Sequence, residues 1–182
     1  MGYRRNYSQL FYSNDETDPS RNRNTDWLSY PFVWAFYIFA IGLHWGFWYG
    51  PGFCSASTAL TITNVINCCA QLYFIHWVKG VPDDFINQGE FNGWTLWEQI
   101  DAGIDWTPTK KFLAIVPLVL SLITCASCDY SALSLAINVP ACAVVMIAKL
   151  PQLEHVRIFG INSTPGIDDS GQGQKESETK NK

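Results

Sequence analysis

Residues 27–78 read WLSYPFVWAFYIFAIGLHWGFWYGPGFCSASTALTITNVINCCAQLYFIHWV, 52 positions in a row without an Asp, Glu, Lys or Arg. Residues 112–148 form a second such stretch of 37, interrupted by Asp129 alone. The other 93 of the 182 residues hold 27 of the 28 charges. The net charge of −4 and mean hydropathy of +0.01 therefore average over two unlike materials. A water-soluble domain needs a polar face on every surface helix or strand and does not segregate its charge in this way. The pattern indicates a membrane protein and argues against a soluble enzyme or a nucleic-acid binder.

About 20 apolar residues make a helix long enough to cross a hydrocarbon core of about 30 Å. The first stretch fits two crossings, broken at Gly50-Pro51-Gly52, a turn signal. The second also fits two, broken at Cys128-Asp129-Tyr130, whose charge belongs at an interface. The expected spans are about 32–50, 57–78, 109–127 and 131–148, in two antiparallel helical hairpins. Barrel strands would be shorter and alternating, and such segments are absent. The predicted fold is an all-α membrane protein with four transmembrane helices.

The cations orient it. All 12 Lys and Arg lie in the N-terminal tail, the loop 79–111 and the C-terminal tail, and the two hairpin turns have none. Four spans put those segments on one side, which the positive-inside rule makes cytosolic. Residues 1–26 then form a cytosolic tail, 27–162 the membrane domain with its loop 79–108, and 163–182 a second cytosolic tail. The last 20 residues have one aliphatic side chain larger than Ala, Ile167, and are expected to be disordered. The first apolar run is too long for a signal-peptide core. Met1-Gly2 lacks the Ser or Thr at position 6 that myristoylation wants. The sequons at Asn6 and Asn162 fall on the cytosolic side and are expected to stay unused.

Few residues suggest chemistry. Cys125 and Cys128 have CxxC spacing, but with no second pair and no neighbouring His, ordinary packing of small apolar side chains is the better reading. Gly42, Gly46 and Gly50 form a stripe that suits close helix approach and equally reflects the glycine content of membrane helices. His44, Asn64, Asn67, Gln71 and Asn138 lie within the spans and are expected to face protein. The second span, the most polar, should be the most enclosed. No catalytic, cofactor or metal site is apparent. In the loop, Trp94, Trp97 and Trp106 suit the headgroup level, and Thr107-Pro108 caps the third span. Glu98 and Asp101 share a helix face and read better as a solvated or partner-facing edge than as an acid–base pair. Residues 156–162 suit a short extended or interfacial stretch.

Across residues 22–162 the chain resembles the ORMDL (Orm) family of endoplasmic-reticulum membrane proteins. The resemblance rests on Phe74-Ile75-His76-Trp77-Val78-Lys79-Gly80 with Pro82, Gln88-Gly89-Glu90, and Trp97-Glu98-Gln99-Ile100-Asp101. It continues through Lys111-Phe112-Leu113 and from Lys149 and Pro151 to Arg157-Ile158-Phe159-Gly160-Ile161-Asn162. Asn22-Arg23-Asn24-Thr25-Asp26-Trp27 with Trp34 looks like the plant-type version. Members of this family are not enzymes. They bind the catalytic subunits of serine palmitoyltransferase, which starts sphingoid-base synthesis, and inhibit it when ceramide is plentiful.

The resemblance implies a ceramide-responsive negative regulator in the endoplasmic-reticulum membrane, with ceramide bound at Asn24 and no cofactor. It places the segment before the first span against the enzyme's cytosolic face, where it obstructs acyl-CoA entry. Asn22, Trp27, His76, Lys79, Trp97, Glu98, Asp101 and Arg157 are the candidate partner-interface residues. The chain departs from the family pattern at Leu60 (usually Trp), Val81 (Thr) and Lys110 (Arg), and has Glu154 in the place of a His, with His155 next to it. The tail before Asn24 is also longer than in short animal and plant members, and its Ser8, Ser13 and Ser20 are candidate phosphorylation sites. The competing readings are an assembly subunit of another membrane complex and a small transporter, which would need a midplane site.

Overall fold

The computed structural model describes residues 22–80, 91–157 and 160–163, and within these not the side chains of Arg23 and Ala102. The N-terminal tail with Asn6, Ser8, Ser13 and Ser20, the stretch with Val81, Pro82 and Gln88 to Glu90, Ile158-Phe159, and residues 164–182 lie outside the described residues.

The described chain is helical, and its one β-bridge pairs Lys79 with Thr95. A short helix α1 (Arg23–Asp26) and a 3-10 turn (Trp27–Ser29) lead into α2 (Pro31–Tyr49). Then come α3 (Ala56–Gln71), which continues as a π-helical segment through Leu72–Trp77, and α4 (Leu96–Gln99). A 3-10 turn (Ile100–Gly103), α5 (Pro108–Ser127) and α6 (Ala132–Ala148) complete the order.

Three of these are long and apolar enough to cross a membrane: α2, α3 with its π-helical continuation, and α5. The fourth, α6, is equally apolar in character but has 17 residues. At about 1.5 Å per residue it is near the short end of what spans a bilayer.

The breaks lie at the expected turns. Gly50 to Cys54 separates α2 from α3, and Cys128 to Ser131 separates α5 from α6. Thr107 caps α5, its side chain accepting the Lys110 N–H at 3.3 Å, with Pro108 in the first turn where a missing N–H costs nothing. Ser55 and Ser131 cap α3 and α6 in the same manner.

The four long helices run alternately up and down. Lys149, just past α6, bonds Gln71 near the end of α3 and the Leu113 carbonyl near the start of α5. Trp34, near the start of α2, stacks on Phe112 at 4.8 Å. All four of these ends therefore meet. At the opposite end Cys128 Sγ lies 3.8 Å from the Ser57 carbonyl.

The packing is inverted relative to a soluble bundle. None of the residues of α2 is buried, and Phe32, Phe36, Phe39, Leu43 and Phe47 all point outward. A helix that is apolar all round belongs in lipid. The buried stripe of α3 is Ala59, Thr63, Asn64, Asn67, Cys68 and Gln71, a helical repeat rich in amides. Asn64 Nδ2 donates to Asn138 Oδ1 at 2.8 Å, and Ser121 donates to Asn64 Oδ1 at 3.0 Å, joining α3, α5 and α6. Tyr37 donates to Asn67 at 2.5 Å and accepts from Gln71 at 2.7 Å, joining α2 to α3.

Asn64, Asn67, Gln71 and Asn138 thus face protein. The second span touches the three others, although α5 buries a slightly larger share of its residues. His44 accepts the Trp48 indole N–H at 3.1 Å within α2. Gly42 and Gly46 have open space where a side chain would sit, so among the described residues these two glycines pack against no neighbouring helix. All six cysteines are free, and no group of three or more metal-ligating side chains occurs among the described residues.

Candidate functional site

The segment entering the first span is fastened to the loop between the hairpins, and one residue does most of the fastening. Gln99 is fully buried at the end of α4. Its Oε1 accepts from Asn22 Nδ2 at 3.1 Å and from Asn24 Nδ2 at 3.0 Å. Its backbone carbonyl accepts from the Thr25 hydroxyl at 3.3 Å. Its Nε2 donates to the carbonyls of Gly80 at 3.0 Å and Trp94 at 3.1 Å.

Gly80 turns the chain at φ +81, a region open to glycine, which aims its carbonyl at Gln99 while its N–H bonds Trp94 O at 3.0 Å. The Asn22 Oδ1 accepts the Asn24 N–H at 3.0 Å and starts α1. Trp27 then donates its indole N–H to the Asn24 carbonyl at 2.7 Å.

The other half of the loop is a charged core. Thr95 and Glu98 form a capping box, with Thr95 N donating to Glu98 Oε2 at 2.7 Å. Arg157 grips the same carboxylate with both terminal nitrogens, at 2.7 and 3.0 Å, and its Nη2 also reaches the Gly93 carbonyl. The His155 backbone N–H adds a bond to Oε1 at 2.8 Å. Burial opposes ionisation of Glu98, but Arg157 and the two backbone N–H groups outweigh it and hold the pKa down to about 2.

Glu98 is thus a buried, fully bonded carboxylate where a solvated or partner-facing edge was expected. Asp101 does not share its face. The helix tightens to 3-10 geometry at Ile100, and Asp101 sits at φ +52. Trp97 is buried too, against the headgroup expectation. Its ring lies 5.4 Å from Lys110 Nζ, 5.5 Å from Lys149 Nζ and 5.3 Å from the His76 ring. Of the three loop tryptophans, Trp106 is exposed and Trp94 half-buried. Residues 160–162 turn, with Gly160 and Asn162 at positive φ, so of the extended or interfacial stretch expected over 156–162 the extended form does not hold there.

The interface candidates divide accordingly. Trp27 is exposed, and Lys79, His76, Asp101 and Arg157 are partly accessible, as is Asn24, the candidate ceramide contact. Asn22, Trp97 and Glu98 are committed inside the chain. Gln99, Thr25, Lys110 and Lys149 were given no role by sequence reasoning. The side-chain contacts that give them a role reach across the sequence, Asn24 to Gln99, Thr25 to Gln99, Lys110 to Glu154 and Lys149 to Gln71, and no local pattern signals them.

Below Trp27 lies a groove of about 290 Å³ between α2, α3 and the start of α5. Leu28, Trp34, Tyr37, Asn67, Phe74 and Phe112 are among its walls, which are almost wholly apolar. Such a space suits hydrocarbon. Asn24 adjoins it through the Trp27 bond, so a polar amide lies one residue contact from an apolar groove at the end of the membrane helices.

Comparison with known proteins identifies the family. The family model described as "ORMDL family" matches residues 22–157. ORM1-like protein 3 of Homo sapiens is 38% identical over 141 residues, covering 78% of this chain and 92% of that protein. ORM1-like protein 2 of Homo sapiens has the same identity and coverage. The ORM1-like protein of Drosophila melanogaster is 39% identical over 142 residues, again covering 78% and 92%. The match begins at Asn22 and ends at Arg157, the outermost residues of the two networks that hold the loop, and the chain belongs to the ORMDL family.

Proposed function

We propose that this chain is a ceramide-responsive negative regulatory subunit of serine palmitoyltransferase in the endoplasmic-reticulum membrane. It spans the bilayer four times, with both termini and the loop 79–108 in the cytosol, and performs no chemistry of its own. Family membership supports the partner and the compartment. The clustering of cations at one end of the helices supports the topology.

The observation that carries the ligand is Asn24, a half-buried primary amide fastened beside an apolar groove. A ceramide offers an amide and hydroxyls to the first and hydrocarbon to the second. The lipid enters from the membrane, bonds Asn24 and stabilises the inhibitory placement of residues 1–26. It inhibits to the extent that it prefers the docked segment over the released one.

The test is the reconstituted complex with Asn24→Ala. Assembly and basal activity are expected to persist, and inhibition by added ceramide to disappear. A mutant complex that remains fully ceramide-sensitive removes the role given to Asn24. Failure of serine palmitoyltransferase to co-purify with the wild-type chain in mild detergent removes the partner.

A further inference from the structure

We infer that Gln99 is a positioning residue that fixes Asn24 as a hydrogen-bond acceptor toward its lipid, so that the site selects lipids carrying a hydroxyl or amide N–H. This rests on the reading of Asn24 as the lipid contact and adds the polarity of that contact.

An isolated primary amide offers both donors and an acceptor, and rotation about its last bond exchanges them. Asn24 lacks that freedom because the choice is made two residues away. Gly80 O and Trp94 O are backbone carbonyls and can only accept. The Gln99 atom between them must be Nε2, which leaves Oε1 on the other side. Oε1 in turn can only accept, so Asn22 and Asn24 must both present Nδ2 to it.

Asn22 meets this requirement independently, because its Oδ1 is engaged by the Asn24 N–H. For Asn24 the consequence differs. Its backbone carbonyl is taken by Trp27, its backbone N–H by Asn22 and one amide N–H by Gln99. Among the described residues nothing donates to its Oδ1. Reversing the amide would set Oδ1 against Gln99 Oε1, two acceptors at 3.0 Å. The lipid therefore meets an acceptor held in place by a fully buried residue. The second Nδ2 N–H of Asn24 stays open to lipid acceptors, ester carbonyls included, so discrimination rests on Oδ1: a diacyl lipid with only ester carbonyls and a quaternary headgroup leaves it unpaired, whereas a hydroxylated N-acyl lipid donates to it.

The test uses the full chain in phosphatidylcholine nanodiscs and two probes, a short-chain N-acylsphingosine and the same molecule with its amide N and both hydroxyls methylated. The wild type is expected to bind the capped probe about tenfold more weakly, the loss of roughly one hydrogen bond. Gln99→Leu is expected to bring that ratio below about threefold, because Asn24 can then present either end of its amide.

Asn24→Ala separates the two claims. If it leaves N-acylsphingosine binding unchanged, the reading of Asn24 as the lipid contact fails. If it weakens binding while the wild type takes both probes equally, the acceptor assignment fails and the lipid contact stands. An undiminished ratio in Gln99→Leu removes Gln99 from the role. Should that variant not fold, side-chain amide exchange in the 15N-asparagine-labelled wild type decides the point. One Asn24 Nδ2 proton should exchange slowly with or without lipid, and fast exchange of both overturns the assignment.

Discussion

Glu98 and Arg157 hold the loop and the segment after α6 together, and the pair is nearly sealed from water, with side chains 4% and 11% exposed. A buried ion pair is poor evidence of net stabilisation, but removing one partner strands the other. Arg157→Ala is expected to destabilise the chain by about 3–5 kcal/mol in detergent unfolding, more than Glu98→Gln, which keeps the shape and some hydrogen bonding. The pH dependence follows from the depressed pKa. A carboxyl near 4.5 when unfolded and about 2 when folded contributes stability that is complete above about pH 4.5 and lost as pH falls toward 2. Unfolding of the wild type between those values should show this slope, and Glu98→Gln should flatten it. An equal slope in both would place the acid sensitivity elsewhere.

Two departures from the family pattern, Lys110 and Glu154, also meet at this scale. Lys110 Nζ lies 2.7 Å from Glu154 Oε1, with the lysine side chain 4% exposed. The pair explains each departure by the other. A double-mutant cycle with Lys110→Met and Glu154→Gln should return a coupling energy of about 1 kcal/mol or more, and additive effects would show the two changes to be unrelated.

At the scale of elements, α3, α5 and α6 are joined along their length by the amides and hydroxyl of Asn64, Asn138 and Ser121. Asn138→Leu keeps the volume and removes the bonds to Asn64 and Ser134. Such interhelical bonds are worth about 0.6–2 kcal/mol, so the variant should unfold at moderately lower denaturant while keeping its fold. Full stability would mean that packing alone holds these helices.

The helices themselves were legible because charge is expelled from lipid and because Gly50-Pro51-Gly52 and Thr107-Pro108 mark turns and caps within a few residues. The loop site was not legible in the same way. Asn24 and Gln99 are 75 residues apart, and Glu98 and Arg157 are 59 apart. Each polar side chain read alone looks solvated, since burial is decided by a partner that local periodicity does not reveal. The family resemblance pointed to Asn24, while its fastening to Gln99 required the fold.

The whole molecule is tied at one end and looser at the other. Lys149 joins α3, α5 and α6 near their charged ends, the Trp34–Phe112 stack adds α2, and the docked loop covers that end. The other end has two short turns, joined by the Trp45 indole bond to the Ala56 carbonyl and by contacts from Cys128 to Ser57 and Thr61. If α6, with 17 residues, crosses the bilayer with the rest, the turns at Pro51 and Tyr130 share the lumenal side while Asp105 lies in the cytosol. Single cysteines at the exposed positions Pro51, Asp105 and Gln152, in a chain whose six native cysteines are replaced, measure this directly in sealed microsomes. A membrane-impermeant maleimide should label Asp105→Cys and Gln152→Cys at once and Pro51→Cys only after detergent. Delayed labelling of Gln152→Cys would leave α6 on the lumenal surface. A chain with three crossings would then place its basic segments on opposite sides, against the distribution of all 12 cations. Immediate labelling of Gln152→Cys gives the short helix its crossing and puts the polar networks that carry the proposed regulation on one side of the membrane.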